Sequence, residues 1–394
     1  MSAVIIDAVR SPMGRGKVSG GLAGLHPVEL LAQVLTGLVE RTGLDPASVD
    51  DVLVGCVSQG GEQSSTPGRQ AWLAAGYPTS TPSTTIERKC GSGQQAIEFA
   101  AAGIVAGNYD IAIAAGLESM SRVPMGSARM GQDPFGPRVH ERFPHLVPQG
   151  VSAELVAQRW NLSRDALDEY SARSHELAGR AADGGQFKDE IVPVTVTDVG
   201  GTQVIDTDET IRRGTTPAGL AALRPAFAAE PYTSLFPQLD WKITAGNSSQ
   251  ITDGAAALLL TSEQRALELG LRPVARIVAS SVVGDDPVLM LTGPIPASRR
   301  VLARAGMSVA DIDVFEVNEA FASVPLAWQL ELGAELARLN PCGGAIALGH
   351  PLGASGCRLM TTMISHLRRT GGRYGLQTMC EAGGMANATI IEML

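Results

Sequence analysis

Short hydrophobic runs alternate along the chain with longer segments that have a helical pattern. The runs include DDVLVGCV, YDIAIAAG, GAAALLL and DVFEVNEA, whereas GQQAIEFAAAGIVAG is typical of the longer segments. Continuous apolar runs of this length are typical of strands that are buried on both faces of a sheet, where helices must cover them. The pattern therefore predicts an α/β fold.

The first and last parts of the chain repeat one pattern. LDPASVDDVLVG is followed by CGSGQQAIEFAAAGIVAGNYDIAIAAG, and MSVADIDVFEVN is followed by GASGCRLMTTMISHLRRTGGRYGLQTMCEAGG. In each copy a strand precedes a Gly/Ser-rich helix start and then a second strand, at an offset of about 263 residues that places Ser92 on Ser355. This repeat predicts two halves of similar topology.

The segment between the two copies has a different composition. It begins with SRVPMGSARMGQDPFGPRVHERFPHLVPQG, which is rich in proline, glycine and arginine, and continues with a helical pattern. Long excursions from compact domains are commonly lids or binding loops. We expect residues 121–244 to form an inserted region over one face.

Composition and charge narrow the class of protein. Of 394 residues, 44% are hydrophobic and 18% are charged, which is typical of a globular chain with two or three packed units. The formal net charge of -9 leaves no basic stripe for a phosphate backbone, so we expect no nucleic-acid partner. The apolar runs are too short for a membrane span or a signal peptide, which favours a cytoplasmic protein without a membrane partner.

The five cysteines are spread widely. They are Cys56, Cys90, Cys342, Cys357 and Cys380. An odd number in a long chain without a CxxC pair argues against a disulfide framework and against a zinc site. We therefore expect no metal, and we expect buried thiols, some of which can be reactive.

Two of these cysteines lie where a thiol can react. Cys90, in ERKCGSGQQAIEF, precedes a predicted helix, whose N-terminal N–H groups and dipole lower a thiol pKa. Cys380, in TMCEAGGMANA, ends a predicted strand beside two glycines and can exchange a proton. A buried structural cysteine is the alternative at both positions.

His350 and Asn318 are the other two candidates. His350 is the one ionisable residue of GGAIALGHPLGASG, whose five glycines predict a tight turn that presents the imidazole to a reacting group. Asn318, in EVNEAFAS, follows a predicted strand and can hold a water or a carbonyl through a neutral hydrogen bond. A structural histidine and a helix N-cap are the respective alternatives.

Together these segments resemble the four catalytic motifs of the thiolase family. CGSG with Cys90, NEAFA with Asn318, GGAIALGHPLGASG with His350 and CEAGGMA with Cys380 occur in the order and spacing of that family. DAVRSPMGR, GLESMSRVPM, TAGNSSQITDGAAALLL and GPIPASRRVL extend the resemblance over essentially the whole chain.

The resemblance implies the thiolase fold, in which two similar βαβαβαββ domains pack as a five-layered α-β-α-β-α core with an inserted loop domain. The N-terminal domain would comprise residues 1–120 plus 245–272, the loop domain 121–244, and the C-terminal domain 273–394. The resemblance also implies a homodimer or a homotetramer.

The resemblance further implies a two-step acyl transfer with coenzyme A as co-substrate. Cys90 would be the nucleophile, His350 would activate it, and Cys380 would protonate the acetyl-CoA carbanion. Asn318 would hold a water that joins His350 in one oxyanion hole. The backbone N–H groups of Cys90 and Ala382 would form the other.

Coenzyme A contacts are also implied by matching positions. Ala245 and Ser249 match residues that contact the pantetheine arm in relatives, Arg212 and Phe227 match residues near the adenine, and Phe321 lies at the pocket. A purely structural role is the alternative for all five.

Two departures from the family pattern concern activity. Ala382 stands at the third place of the usual CxGGG run, where its Cβ would be strained if the site needs a positive φ. Cys342 replaces an amide in the common NxNGG, which either loosens the His350 loop or simply adds a small buried residue.

Two further departures concern the substrate. Gln149, in PQGVSAE, replaces the methionine of HMGxTAE in short-chain enzymes, and a longer segment supplies Tyr232, Phe236 and Trp241. Both changes resemble degradative thiolases, including those that shorten steroid side chains. We therefore expect thiolysis of a 3-oxoacyl-CoA that releases acetyl-CoA or propionyl-CoA. The alternatives are a biosynthetic acetoacetyl-CoA thiolase and a non-catalytic acyl-CoA-binding protein.

Overall fold

The computed structural model describes residues 2–198 and 201–394. The strands are β1 (Ala3–Arg10), β2 (Gly14–Arg15), β3 (Asp51–Gly55), β4 (Ser83–Ile86), β5 (Ile111–Ser119), β6 (Val194–Asp198), β7 (Gly201–Ile205), β8 (Thr252–Ser262), β9 (Ala275–Gly284), β10 (Val314–Val317), β11 (Tyr374–Glu381) and β12 (Met385–Met393). The helices are α1 (Pro27–Thr42), α2 (Pro67–Ala74), α3 (Ser92–Ala106), α4 (Pro137–Arg142), α5 (Gln149–Arg159), α6 (Arg164–Asp183), α7 (Pro217–Ala221), α8 (Tyr232–Leu235), α9 (Glu263–Glu268), α10 (Pro294–Ala305), α11 (Ser323–Leu332), α12 (Ala345–Leu348) and α13 (Ser355–Thr370).

One mixed sheet runs through the molecule in the order β10-β11-β12-β9-β1-β8-β5-β3-β4, and β2 pairs with β8. Every residue of β5 and of β8 is buried, as expected for apolar strands that are covered on both faces. The α/β class predicted from the hydrophobic pattern is confirmed.

The predicted internal repeat is visible in the sheet. In the first half, β3 and β5 are parallel, whereas β5-β8 and β8-β1 are antiparallel. The second half repeats this arrangement with β10-β11 parallel and with β11-β12 and β12-β9 antiparallel. The halves join where β1 pairs with β9, through Val4 with Arg276 and Ile5 with Ala275.

The layers follow from which faces the helices cover. α1 and α2 contact the first half of the sheet, and α10 contacts β9, β11 and β12 of the second half. Between them α3 and α13 pack on each other and on strands of both halves, in a core that includes Ala96, Leu258, Met360 and Ile391. This arrangement is the five-layered α-β-α-β-α core that the family resemblance implies.

The two central helices cross at very short range. A Cβ built on Gly356, in the first turn of α13, would lie 2.0 Å from the backbone nitrogen of Gln94 in α3. Real Cβ atoms do not approach backbone that closely, so glycine is required here. The crossing brings the first turns of α3 and α13 together, just after Cys90 and His350.

The inserted region lies between β5 and β8. It holds α4 to α8 and a separate two-stranded sheet of β6 and β7. The chain returns to the main sheet with β8, and β9 begins the second half. The exact domain bounds stay a prediction. No helix within the described residues is long and apolar enough to span a bilayer.

The helix crossing gives a test of the core. We expect Gly356→Ala to lower the free energy of unfolding by at least about 2 kcal/mol, because the added methyl group forces α3 and α13 apart. Urea-induced unfolding of the purified protein measures this loss.

Gly284→Ala is the matched control. A Cβ at Gly284 meets no atom within 4 Å, and the residue has no positive φ. We expect its free energy of unfolding to stay within about 1 kcal/mol of the starting protein. Equal losses in the two variants would contradict the close crossing.

Candidate active site

Cys90 lies in a tight turn just before α3. Lys89, the preceding residue, has a φ of 47°, in the left-handed region that non-glycine residues seldom adopt. Ser92 ties the turn down, because its Oγ accepts from the Arg88 N–H at 2.9 Å and donates to the Lys89 carbonyl at 2.6 Å. The nucleophile candidate therefore has a fixed position at a helix N-terminus.

Cys380 occupies β11 close to Cys90. Both cysteines are buried, and Cys90 raises the cost of a negative charge on Cys380. Burial raises the pKa of Cys90 to about 12 and raises that of Cys380 well above its usual range. Both side chains therefore rest as neutral thiols.

Three hydrogen-bond donors act on the pKa of Cys90. They are its own N–H, the N–H of Ala382 and the side-chain amide of Gln149, and each lowers the Cys90 pKa against the effect of burial. The two backbone donors are those that the resemblance implies for an oxyanion hole. A helix dipole alone predicted a lowered thiol pKa, and that prediction is wrong because desolvation is the larger effect.

His350 and Asn318 are adjacent. Asn318 follows β10, and its Nδ2 lies 3.4 Å from His350 Nε2. On the other side of the ring, Nδ1 lies 2.6 Å from Ser355 Oγ, and that hydroxyl donates to the Pro351 carbonyl at 2.8 Å. Since the hydroxyl proton is used on the carbonyl, Nδ1 carries the ring proton and donates to Ser355. Nε2 keeps its lone pair and can accept a proton.

The His350 ring is neutral at rest. Burial, with a smaller contribution from Arg358, lowers the His350 pKa to about 3. Ser355 and Ser92 occupy equivalent positions of the repeat, and each hydroxyl holds the turn before its helix. The same hydrogen bond from a serine hydroxyl to a backbone carbonyl thus helps to position both candidate reacting side chains.

Two buried carboxylates hold the His350 loop at its ends. Glu319 accepts hydrogen bonds from Tyr170, Ser174, Asn340 and the N–H of Ile346, at 2.7–3.1 Å. Glu118 accepts from the N–H groups of Val57, Ser58 and Gly353 and from Gln63, at 2.9–3.0 Å. Each carboxylate uses its acceptor sites fully, so the loop is fixed before and after His350.

The peptide before the imidazole is equally constrained. Gly349 has a φ of 89°, and a Cβ built there would lie 2.2 Å from Thr252 Oγ1. That hydroxyl accepts a hydrogen bond from the His350 N–H at 3.1 Å. The loop glycines predicted a tight turn, and at Gly349 both the positive φ and the close contact require glycine.

Several residues predicted to bind coenzyme A lie near Asn318. The Ser249 N–H donates to the Ala320 carbonyl at 2.9 Å, and Ser248 forms a β-bridge with Phe321. Phe321 packs edge-to-face on Phe227, with 6.0 Å between ring centroids. Ala245, at the start of the same segment, is exposed. The structure therefore brings Ser249, Phe227 and Phe321 to one side of the site.

Arg212 connects to the site through Gln250. Its Nη2 lies 3.2 Å from Gln250 Oε1, and the Gln250 carbonyl receives a hydrogen bond from the His350 N–H at 3.1 Å. Arg212 also lines a cavity of about 540 Å³ between α6 and the loop before α7. The cavity wall includes Arg173, Arg180 and Arg213.

The structure shows how the chain accommodates Ala382 and Cys342, the two departures from the family pattern that concern activity. Ala382 has no positive φ, whereas Gly383 and Gly384 have φ values of 93° and 75°. The turn is therefore made after Ala382, and the expected strain is absent. Cys342 is buried in a small cluster with Ala178 and Leu348 and others, in agreement with the simpler interpretation.

Cys342 is a buried thiol, as Cys90 is. Its sulfur lies 3.4 Å from His366 Nδ1, but burial raises its pKa to about 12. In the part of the chain that the structure describes, no group of three or more His, Cys, Asp and Glu side chains could hold a metal ion.

Two family models match nearly all of the chain. "Thiolase, N-terminal domain" matches residues 3–264, and "Thiolase, C-terminal domain" matches residues 271–393. The chain belongs to the thiolase family. This thiolase is accordingly an acyltransferase.

Similar proteins of known name cover the full length of this thiolase. The chain is 47% identical to a steroid 3-ketoacyl-CoA thiolase FadA6 of Mycobacterium tuberculosis, over 100% of the chain and 94% of that relative. It is 44% identical to a 3-ketoacyl-CoA thiolase of Serratia proteamaculans, over 99% and 98%. The crystal structure of an acetyl-CoA acetyltransferase of Bacillus anthracis superposes with a TM-score of 0.90 at 38% identity, over 100% and 99%.

Sequence reasoning missed four residues of this thiolase site. Ser355 orients the imidazole, Gln250 links Arg212 to the His350 loop, and Glu118 and Glu319 hold that loop. The sequence does contain a signal for Ser355, because Ser355 occupies the position of the internal repeat that matches Ser92. Glu319 had one too, since a carboxyl group inside the hydrophobic EVNEAFA needs buried partners.

The Glu319 contacts give a second test. Glu319→Gln keeps the shape but replaces one acceptor oxygen by a donor that faces N–H and amide groups. We expect a loss of about 2–4 kcal/mol in the free energy of unfolding, measured by urea denaturation.

Glu335→Gln is the matched control for this loss. Glu335 is exposed and pairs only with Arg338 at 3.5 Å. We expect its stability to change by less than about 1 kcal/mol. A Glu319→Gln protein as stable as this control would show that Glu319 does not hold the loop.

Proposed function

We propose that the protein is a 3-ketoacyl-CoA thiolase that acts in the degradative direction. The observation that carries this proposal is that Cys90 shares a buried cluster with Leu352 and Met379, which lie beside His350 and Cys380 in the chain. Burial keeps both thiols and the imidazole neutral at rest. The reacting side chains themselves therefore carry no charge at rest. Such a site favours a reaction in which a thiolate and an oxyanion form only with substrate bound.

The first step is acylation of Cys90. Its proton moves to His350 Nε2, and the thiolate sulfur attacks the 3-keto carbon of the substrate. The bond between the α and β carbons then breaks, so that a shortened acyl group stays on sulfur. The electron pair remains on the α carbon of acetyl-CoA, which takes a proton from the Cys380 thiol.

The second step is thiolysis of the acyl-enzyme. Cys380, now a thiolate, takes the proton of the coenzyme A thiol, and the coenzyme A sulfur attacks the acyl carbon. Cys90 leaves as a thiolate and recovers its proton from His350. The products are acetyl-CoA and an acyl-CoA shortened by two carbons. An α-methyl substrate yields propionyl-CoA instead.

Two sets of hydrogen-bond donors stabilise the two oxygens that become negatively charged during the reaction. The N–H groups of Cys90 and Ala382 point to the sulfur and stabilise the acyl oxygen beside it. Asn318, beside His350 Nε2, holds a water for the other thioester oxygen. His350 thus serves as base, acid and donor in turn.

The degradative direction is supported by the substrate side of the site. Two relatives at 44% and 47% identity have names that specify 3-ketoacyl-CoA thiolysis, one of them on steroids. Gln149, whose amide lowers the pKa of Cys90, stands where short-chain acetoacetyl-CoA thiolases carry methionine. Other relatives, at 40–41% identity, have the name acetyl-CoA acetyltransferase, so biosynthesis is the competing direction.

The proposal also covers the residues that bind coenzyme A and the assembly of the protein with further copies of itself. Arg212, Phe227, Ala245, Ser249 and Phe321 are proposed to bind coenzyme A, with its nucleotide toward Arg212. The cavity beside Arg212 is lined by arginines and also by the carboxylates Glu169, Glu176 and Asp183. Among the described residues, strand β4 is the last strand at one end of the main sheet, and we propose a homodimer or homotetramer through that edge. We propose a cytoplasmic enzyme.

A substrate panel tests the proposed direction. Purified protein is incubated with coenzyme A and 3-oxoacyl-CoA esters from acetoacetyl to long-chain and steroid side-chain esters, and loss of the 3-oxoacyl thioester is followed. We expect kcat/KM to rise with the bulk of the acyl chain. A strong preference for acetoacetyl-CoA would favour the biosynthetic direction instead.

Cys90→Ala tests the chemistry on the best substrate of that panel. Loss of a covalent nucleophile should lower kcat by at least about 10³-fold. Cys342→Ala is the control, because that thiol is buried in a separate cluster, and it should retain turnover within about threefold. Near-normal cleavage by Cys90→Ala would exclude the proposed mechanism.

A further inference from the structure

A buried carboxyl group lies against the turn that carries Cys90. It belongs to Glu381, which follows Cys380 at the end of β11 and is fully buried. A Cβ built on Gly91, the residue after Cys90, would lie 1.9 Å from Glu381 Oε1 and 2.8 Å from the carboxyl carbon. The carboxyl group therefore packs directly on the backbone of the Cys90 turn, and only glycine leaves room for it.

This packing limits the distance between the carboxyl group and the nucleophile. Because a Cα–Cβ bond is about 1.5 Å long, the carboxyl oxygen lies within about 3.4 Å of the Gly91 Cα. Consecutive Cα atoms are about 3.8 Å apart, so the same oxygen lies within about 7 Å of the Cys90 Cα, which is two bonds from the sulfur. At this range and away from water, a charge on Glu381 opposes a charge on the sulfur. After burial, Glu381 is the next largest cause of the raised Cys90 pKa.

The carboxyl group of Glu381 has no partner for a negative charge. No described residue donates a hydrogen bond to either of its oxygens. Asn387 is a polar neighbour, since its Nδ2 lies 3.0 Å from the same built Cβ and donates to the Gly91 carbonyl at 3.2 Å. The Asn387 Oδ1 has no donor among the described residues either. A neutral carboxylic acid supplies such a donor, whereas a carboxylate adds a second unpaired acceptor to a buried site.

The charged groups around Glu381 do not reverse this preference. Burial raises the pKa of Glu381 to about 8. Arg88 acts in the opposite direction, and the carboxyl groups of Glu98 and Glu87 add to the rise. The two reacting thiols are the other titratable groups beside it. Glu381 is therefore neutral below about pH 8 and ionised above it.

We propose that Glu381 is a positioning residue for Cys90, whose proton keeps the turn beside the nucleophile free of negative charge while the thiolate forms. An ionised Glu381 would face the Cys90 thiolate in a buried site, where like charges oppose each other. Compared with a protein that lacks this carboxyl group, Cys90 thus becomes harder to ionise as the pH rises through the titration of Glu381. The effect on turnover rests on the proposed thiolase function, whereas the effect on the reactivity of free Cys90 does not.

The test uses two substitutions of Glu381 in the full-length protein. Glu381→Gln keeps the size of the side chain and stays neutral at every pH, and Glu381→Ala removes the titration together with the side chain. Glu87→Gln is the matched control, because Glu87 lies three residues before Cys90, is partly exposed and pairs with Lys89 at 2.9 Å. This control removes a carboxyl group from the same turn and leaves Glu381 in place.

The measurement is the rate at which iodoacetamide alkylates Cys90 from pH 7 to pH 9.5, followed on the Cys90 peptide by mass spectrometry. Alkylation requires the thiolate, so the rate reports how readily Cys90 ionises. We expect the ratio of the Glu381→Gln rate to the wild-type rate to increase at least about tenfold over this range, since one pKa unit is a factor of ten. The ratio for Glu87→Gln should stay within about twofold, because its charge is exposed to solvent.

A Glu381→Gln ratio that stays constant with pH would overturn the proposal, because a purely structural change acts alike at every pH. An equal increase in Glu87→Gln would overturn it too. Circular dichroism and the urea midpoint show whether each variant has folded, and Glu381→Ala provides the same ratio if Glu381→Gln does not fold. Failure of both variants to fold would also contradict the proposal, which requires only a neutral group at this position.

The urea midpoint provides an independent measurement. The pKa of Glu381 is higher in the folded protein than in the unfolded chain, so its contribution to stability is lost as the pH rises. We expect the wild-type midpoint to fall relative to that of Glu381→Gln between pH 7 and pH 9.5. Parallel midpoints over this range would show that Glu381 is not held as a neutral acid.

Turnover separates this proposal from the proposed function. With an active enzyme, the ratio of the Glu381→Gln kcat to the wild-type kcat should rise over the same pH range. A wild-type protein that cleaves no 3-oxoacyl-CoA would contradict the proposed function, whereas the alkylation ratio would still decide the role of Glu381.

Discussion

The position of the His350 loop depends on two buried carboxylates from opposite halves of the chain. Glu118 lies near the end of β5 in the first half, and Glu319 follows β10 in the second half. Both carboxylates accept hydrogen bonds from the backbone of the His350 loop. A buried carboxylate is costly unless every acceptor site is used. The loop therefore cannot shift without leaving a buried charge unpaired, and this constraint keeps the imidazole in place.

The repeat in the fold explains why the reacting groups meet. Each half contributes a helix whose first turn carries a serine that ties down the preceding loop, and those two first turns cross at Gly356. Cys90 precedes one helix and His350 precedes the other. Because the sheet halves pair through β1 and β9, the core of the molecule holds the two helices at this crossing.

Much of this could be predicted from the sequence. Apolar runs, the 263-residue repeat and the glycines around His350 depend on local pattern, so the α/β class, the two halves and the tight turn followed directly. The thiol pKa of Cys90 was predicted in the wrong direction, because burial depends on what packs from distant segments. The contacts of Glu118 have the same origin, because they join residues far apart in the chain. The roles of the site residues stay predictions until turnover is measured.

The central claim is that acyl transfer passes through Cys90. The most direct test is to mix the protein with a 3-oxoacyl-CoA in the absence of free coenzyme A and to analyse its peptides by mass spectrometry. The account predicts one shortened acyl group per chain, located on the Cys90 peptide, together with an equal amount of acetyl-CoA. An acyl group on another residue, or substrate loss with no acylated protein, would contradict it.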